Sequence, residues 1–225
     1  MLPVGNSPAW HDAPVPNSRK PTPTRQRMTA AERREQLIDV ARAIFAERGF
    51  DGTSVEEIAS RAAVSKPVVY EHFGGKEGLY AVVVDREVTA LLGAMRDALS
   101  PTSPRALVEG AASALLDYIE ARPDGFQILV RDNPVGSSTG TFQSIIGDVA
   151  SRIEGLMTSD FKRLGLDPRM APMYAQMLIG MGSQIGLWWL DARKPAKHVV
   201  ATHLVNMAWN GLSGLETEPG LATRT

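Results

Sequence analysis

From Thr29 to about residue 213 the large apolar residues recur at the three-and-four spacing of a helix, and no stretch alternates for long enough to build a sheet. That patterning restricts the chain to an all-α fold. Helix-start and helix-stop residues divide it further. Thr29 with Glu32 three residues on forms a capping box, Leu37, Ala41, Ile44 and Phe45 supply the first apolar stripe, and Gly49 is expected to end that helix in a left-handed cap. After it, Thr53 or Ser54 caps a short second helix whose stripe is Val55, Ile58, Ala59 and Ala62. Ser65 opens a third, with Val69 and Phe73 stacked at i and i+4, and Gly74 and Gly75 close it. Longer helices are expected over about 76–99, 104–121, 124–132, 140–164, 168–193 and 196–213, separated by SPTSP, ARPDG, DNPVGSSTG and GLDP.

Residues 1–27 do not share the pattern. Six prolines and few large apolar residues leave too little surface to bury against the entropy of ordering, so a disordered arm is expected. Arg19, Lys20, Arg25 and Arg27 against Asp12 make it basic. It is either a solvated tail or an arm that strengthens nucleic-acid binding. The expected organisation is thus an arm (1–27), a trihelical unit (28–75), a larger helical unit (76–215) and a flexible tail (216–225).

Composition narrows the chemistry. The 225 residues carry a formal charge of −1 and no cysteine, so disulfides and thiolate chemistry are excluded, and DNA affinity would have to come from locally clustered cations. The four histidines are scattered, and His198 and His203, five apart, share no helical face. No nucleophile elbow, phosphate loop or HExxH motif is present, so neither catalysis nor a cofactor or metal site is expected. The absence of a membrane-length apolar run and of a signal-like start leads to an expected cytoplasmic location.

The segment 53–87 is the specific part. A short helix, a three-residue break (62–64) and a second helix have helix-turn-helix spacing, and only a narrow rigid cylinder held proud of its support enters a major groove. Thr53, Ile58, Ala59, Ala62, Val64, Ser65, Tyr70, Phe73, Lys76, Glu77 and Leu79 together resemble the signature of the TetR family of bacterial regulators, over roughly residues 30–80. The resemblance implies a DNA-binding dimer with an N-terminal three-helix head and a larger helical half for ligand binding and dimerisation. It also implies contacts, residue by residue. Ser65 and Lys66 meet phosphates at the start of the recognition helix, and Pro67 and Val68 face base edges, where their apolar side chains suit thymine methyls. Tyr70, His72 and Lys76 reach the backbone, Lys76 also linking the two halves, and Thr53 and Ser54 add a phosphate contact at the second helix. Singly, each has a plain reading as cap, half-buried aromatic or solvated cation; in register together, DNA contact is favoured. Two departures stand out. Ala63 occupies a turn position usually filled by glycine, which implies slight strain, and Pro67 disfavours helical geometry at Lys66, so that the helix starts later than Ser65 implies.

Beyond residue 90 the resemblance is of architecture. It implies that the last two long helices form a dimer seam, with Met181, Gly182, Ile185, Trp189, Met207 and Trp209 as the candidate contacts, the other reading being the chain's own core. Tyr118, Phe126, Leu129, Phe142, Ile146, Tyr174, Met177 and Leu178 are candidates to line a pocket, with Gln143, Gln176, Arg131 and Asp132 as polar groups to orient an occupant. The low charge of these helices points to a small, mainly apolar ligand. The resemblance implies a repressor released from a palindromic operator by that ligand, although no residue here distinguishes a repressor from an activator. The rival reading is a helical carrier of an apolar molecule that binds no DNA.

Overall fold

The computed structural model describes residues 28–98, 100, 103–131 and 141–220, without the side chains of 97, 141–149 and 152; the expected arm and the end of the tail lie outside the described residues. Among the described residues there are nine α-helices and no strand: α1 (Ala30–Arg48), α2 (Val55–Arg61), α3 (Lys66–Phe73), α4 (Lys76–Ala98), α5 (Pro104–Ala121), α6 (Pro123–Arg131), α7 (Thr141–Leu164), α8 (Ala171–Ala192) and α9 (Lys197–Ser213). A 3₁₀ turn, Pro168–Met170, leads into α8.

Local chemistry sets the ends. The Thr29 hydroxyl accepts from the Glu32 amide at 3.2 Å, while the Glu32 carboxylate accepts from the Thr29 amide at 2.7 Å, so two amides with no intrahelical partner are satisfied. Gly49 ends α1 with φ 74° but ψ 174°, positive in φ yet outside the left-handed helical well that was expected. Ser54, rather than Thr53, caps α2, accepting from the Glu57 amide at 3.2 Å. Gly74 ends α3 in the left-handed conformation, φ 74°, and its amide donates to the Tyr70 carbonyl at 2.8 Å. Pro67 sits in the first turn of α3, where its missing amide hydrogen costs no hydrogen bond, and the helix begins at Lys66.

Burial then joins the elements. Leu37, Ile44 and Phe45 of α1, Ile58 of α2, Val69 of α3 and Leu79 of α4 have no exposed surface. The same apolar cluster continues through Val83 and Val88 to Leu116 and Ile119 of α5, Phe126, Ile128 and Leu129 of α6, Trp189 of α8 and Val200 of α9. Each such side chain removed from water contributes about 1.5–3 kcal/mol, so the helical head and the larger half share one core. A second, smaller cluster (Met157, Phe161, Leu166, Ala171 and Ala175) joins α7 to α8, and the Phe161 and Tyr174 rings meet edge-on at 5.3 Å.

The turn between α2 and α3 confirms the strain read from the sequence: Ala63 has φ 53°. The left-handed region costs a β-carbon roughly 1–2 kcal/mol, partly offset by the greater freedom glycine gains when unfolded. Ala63→Gly is therefore expected to stabilise the chain by about 0.5–1 kcal/mol in urea denaturation, with an unchanged helical circular-dichroism spectrum.

Candidate nucleic-acid interface

The third helix has two faces of opposite character. Val69 is 0% exposed and anchors α3 to α1 and α2, whereas the next residue, Tyr70, is 54% exposed. Ser65, Lys66 and Pro67 are exposed with it, and Val68 and His72 are half-buried at its margin. The Ser65 side chain makes no cap hydrogen bond. Lys66 forms an ion pair with Glu56 on the first turn of α2, and hydrogen bonding to that ammonium holds the Glu56 carboxyl below its usual range. Lys66 therefore reaches an anion across the α2–α3 junction. Around this face, Arg34 of α1 lies over the Phe73 ring, 4.6 Å from its centre, and the Gln36 amide donates to the Ala62 carbonyl at 3.3 Å, fixing the α2–α3 turn against α1. On the side of α2 turned to α1, Arg48 and Arg61 bond Glu57 and Glu47 at 3.0 and 2.9 Å.

Two of the nine candidate DNA contacts are placed otherwise by the structure. Thr53 is buried, and its hydroxyl donates to the Gly49 carbonyl at 2.7 Å; it closes the α1–α2 turn and is not presented to a phosphate. Lys76 is drawn inward: its Nζ donates to the Phe50 carbonyl at 3.0 Å and lies 4.1 Å from the centre of the Phe50 ring. Phe50 in turn packs on Tyr80 at 4.9 Å, so Lys76 ties the α1–α2 turn to the start of α4. Of the remaining seven, Lys66, Pro67, Val68, Tyr70 and His72 lie on α3, Ser65 at its N-cap and Ser54 at the N-cap of α2.

Residues 37–83 match the family model described as "Bacterial regulatory proteins, tetR family", and residues 104–211 match "Tetracyclin repressor-like, C-terminal domain". The HTH-type transcriptional activator FasR of Mycolicibacterium smegmatis is 32% identical over 193 residues, covering 83% of this chain and 86% of that protein. The chain belongs to the TetR family. Its fold is correspondingly similar to a TetR-like transcriptional regulator from Rhodococcus sp. RHA1, with a TM-score of 0.66 at 27% identity over 84% of this chain and 100% of the other. AibR, solved with isovaleryl coenzyme A and operator DNA, shares the fold with a TM-score of 0.67 at 18% identity, over 78% of this chain and 97% of its own. As a TetR-family member the chain is a DNA-binding transcription regulator and not an enzyme. Among the described residues no helix is long and apolar enough to cross a membrane.

In this TetR-family chain the larger half departs from the sequence expectations in three places. Trp189 is 3% exposed and its indole donates to the Pro195 carbonyl at 3.0 Å; Gly182 is buried against Leu115, and Ile185 packs on the main core. These three belong to the chain's own core. The outward face of α8 instead carries Met173, Met177 and Trp188, and α9 presents Met207. Met181 and Trp209 are half-buried. The pocket candidates are likewise divided. Tyr118, Phe126 and Leu129 belong to the main core, Tyr174 and Leu178 pack on the second cluster, and Met177 points to solvent. The side chains of Phe142, Ile146 and Gln143, and all of Asp132, lie outside the described residues. Gln176 is exposed, and Arg131 donates to the carbonyls of Ala46 and Glu47, both at 3.3 Å, at the end of α1.

One carboxylate that the sequence reading passed over is buried beside Tyr118. Glu87 of α4 accepts from the Tyr118 hydroxyl at 3.2 Å and from Arg122 through a two-bond fork, both 2.7 Å. Burial, with this carboxylate beside it, pushes the Tyr118 phenol far above its ordinary range. The signal was present: Glu87 stands at the i+4 and i+8 positions from Val83 and Leu79, a charge on an otherwise apolar stripe.

Because Lys76 is engaged within the chain, Lys76→Met is expected to act first on stability. Loss of one hydrogen bond and one cation–π contact corresponds to about 1–2 kcal/mol in urea denaturation. DNA affinity measured on the folded protein is expected to fall less than for Tyr70→Ala.

Proposed function

We propose that this regulator binds a palindromic operator as a homodimer and leaves it when a small, mainly apolar molecule occupies the larger half. The observation that carries the DNA assignment is the contrast on α3, where Val69 is wholly buried and its neighbour Tyr70 projects among Ser65, Lys66 and Pro67. An anchored helix of this kind offers its N-terminus, with amides free of intrahelical partners, to the DNA backbone. Lys66 exchanges Glu56 for a phosphate, and Val68 and Pro67 are carried to base edges that they read through thymine methyls. Ser54, Ser65, Tyr70 and His72 supply further backbone contacts.

Support for the dimer comes from the outward apolar residues of α8 and α9: Met173, Met177, Trp188 and Met207 lie 45–72% exposed. Such side chains, exposed on two consecutive long helices, suit a seam with a second copy. Two recognition helices then enter grooves one DNA turn apart, which makes the preferred site palindromic. Support for the ligand class is the apolar character of α5 and α8, together with the branched acyl chain of the isovaleryl coenzyme A named for AibR. The chain works in the cytoplasm, where the operator is. Release from the operator is one physical event with two transcriptional outcomes. A site that blocks the promoter makes the protein a repressor, the outcome the family resemblance implies; a site upstream of it makes the protein an activator, the name carried by the M. smegmatis relative.

Fluorescence anisotropy with duplexes drawn from the chain's own upstream region tests this reading. Sequence-selective binding that weakens steeply with salt is expected; no binding at low salt would leave the DNA-independent carrier as the better description. Tyr70→Ala is expected to weaken binding to all duplexes alike, by about 1–2 kcal/mol, whereas Val68→Ala changes the order of preference among operator variants.

A further inference from the structure

A buried ion pair usually stabilises a fold no better than apolar side chains of the same size, so a charge inside a core calls for another reason. Glu87 is 1% exposed, and a Cβ placed on Gly125 of α6 would come within 2.0 Å of its carboxylate, so the group is enclosed by α4, α5 and α6. It faces two cations, both within reach of its Oε1. Arg122, at the corner where α5 turns into α6, grips it in the two-bond fork. Arg42 of α1 stands with Nη1 3.7 Å from Glu87 Oε1 and keeps a second, exposed partner in Asp39 at 3.2 Å. One carboxylate is therefore shared between the helical head, through Arg42, and the larger half, through Arg122.

Resting on the function proposed above, we infer that Glu87 is a positioning residue for DNA binding: held by Arg122 it fixes the α5–α6 corner, and released from that fork it passes to Arg42 and re-aims α1 with the recognition helix. Both arrangements keep the carboxylate paired, so neither incurs the penalty of an uncompensated buried charge, and the node has two discrete states. Two further ties make α1 the receiving element. Arg86 of α4 bonds Glu35 with Nη2–Oε1 at 2.7 Å, and Arg131 of α6 donates to the last carbonyls of α1. A shift of α6 thus reaches α1 at its end, while the exchange at Glu87 acts at its middle.

The test needs no knowledge of the ligand. The full chain selects duplexes from a randomised pool, and the affinity of the selected duplex is then measured for wild type, R122M, R122K, E87Q and the R122M/E87Q pair, with melts and solution mass as folding checks. R122M is expected to lower affinity about tenfold, R122K less, and R122M to add under about twofold in the E87Q background. The slope of log affinity against log salt is expected to stay as in wild type, because no phosphate contact has been removed. If R122M does not fold, R122K, which keeps the charge and loses the fork, decides alone. Wild-type affinity in both Arg122 variants, or an equal loss from R122M with and without Glu87, overturns the inference while leaving the DNA-binding assignment standing. A wild-type chain that selects no duplex overturns the function and the inference together.

Discussion

Everything in this molecule depends on the burial of α1. Its apolar residues are covered from two sides: by Ile58 of α2 and Val69 of α3, and by Leu79, Val83, Ile128 and Leu129 of the larger half. A helix so enclosed cannot shift relative to one neighbour without opening space against the other, because close-packed interiors move between discrete arrangements and do not deform smoothly. The head is therefore attached to the larger half by a core and not by a linker.

That attachment explains the polar contacts around it. Lys76 on Phe50, Thr53 on Gly49, and Arg131 on the carbonyls of Ala46 and Glu47 all terminate at or just beyond the C-terminal end of α1, where carbonyls without an intrahelical partner concentrate partial negative charge. All three donors had been assigned to outside partners from the sequence, Lys76 and Thr53 to phosphate and Arg131 to a ligand. A donor near a helix end is satisfied first by the carbonyls of that end, since leaving them unpaired is the costlier alternative.

Much of the fold was legible before the structure. Capping residues, prolines and glycines mark nearly every boundary, so the observed helices begin and end within a few residues of those read from spacing. The left-handed Ala63 followed from the family resemblance, which places glycine at that turn position. The two faces of α3 were legible from spacing: Val69 and Phe73 at i and i+4 define its anchored face, and what is left faces outward. Where spacing failed was α8. Its apolar residues surround the helix, so periodicity offered two faces and could not say which was inside. The packing set Gly182 against Leu115 and Trp189 against the Pro195 carbonyl, and left Met173, Met177 and Trp188 outside.

The amino-acid order alone determined that the chain is helical, where its helices break, and that a helix-turn-helix stands near its start, because these follow from contacts between residues three or four apart. It could not determine which charges end up buried or which apolar face is turned to a partner. Those depend on segments far apart in the chain meeting in space. Glu87 shows the difference: in the sequence it is one charged residue among apolar neighbours on α4, and only the meeting of α1, α4, α5 and α6 sets it between Arg42 and Arg122.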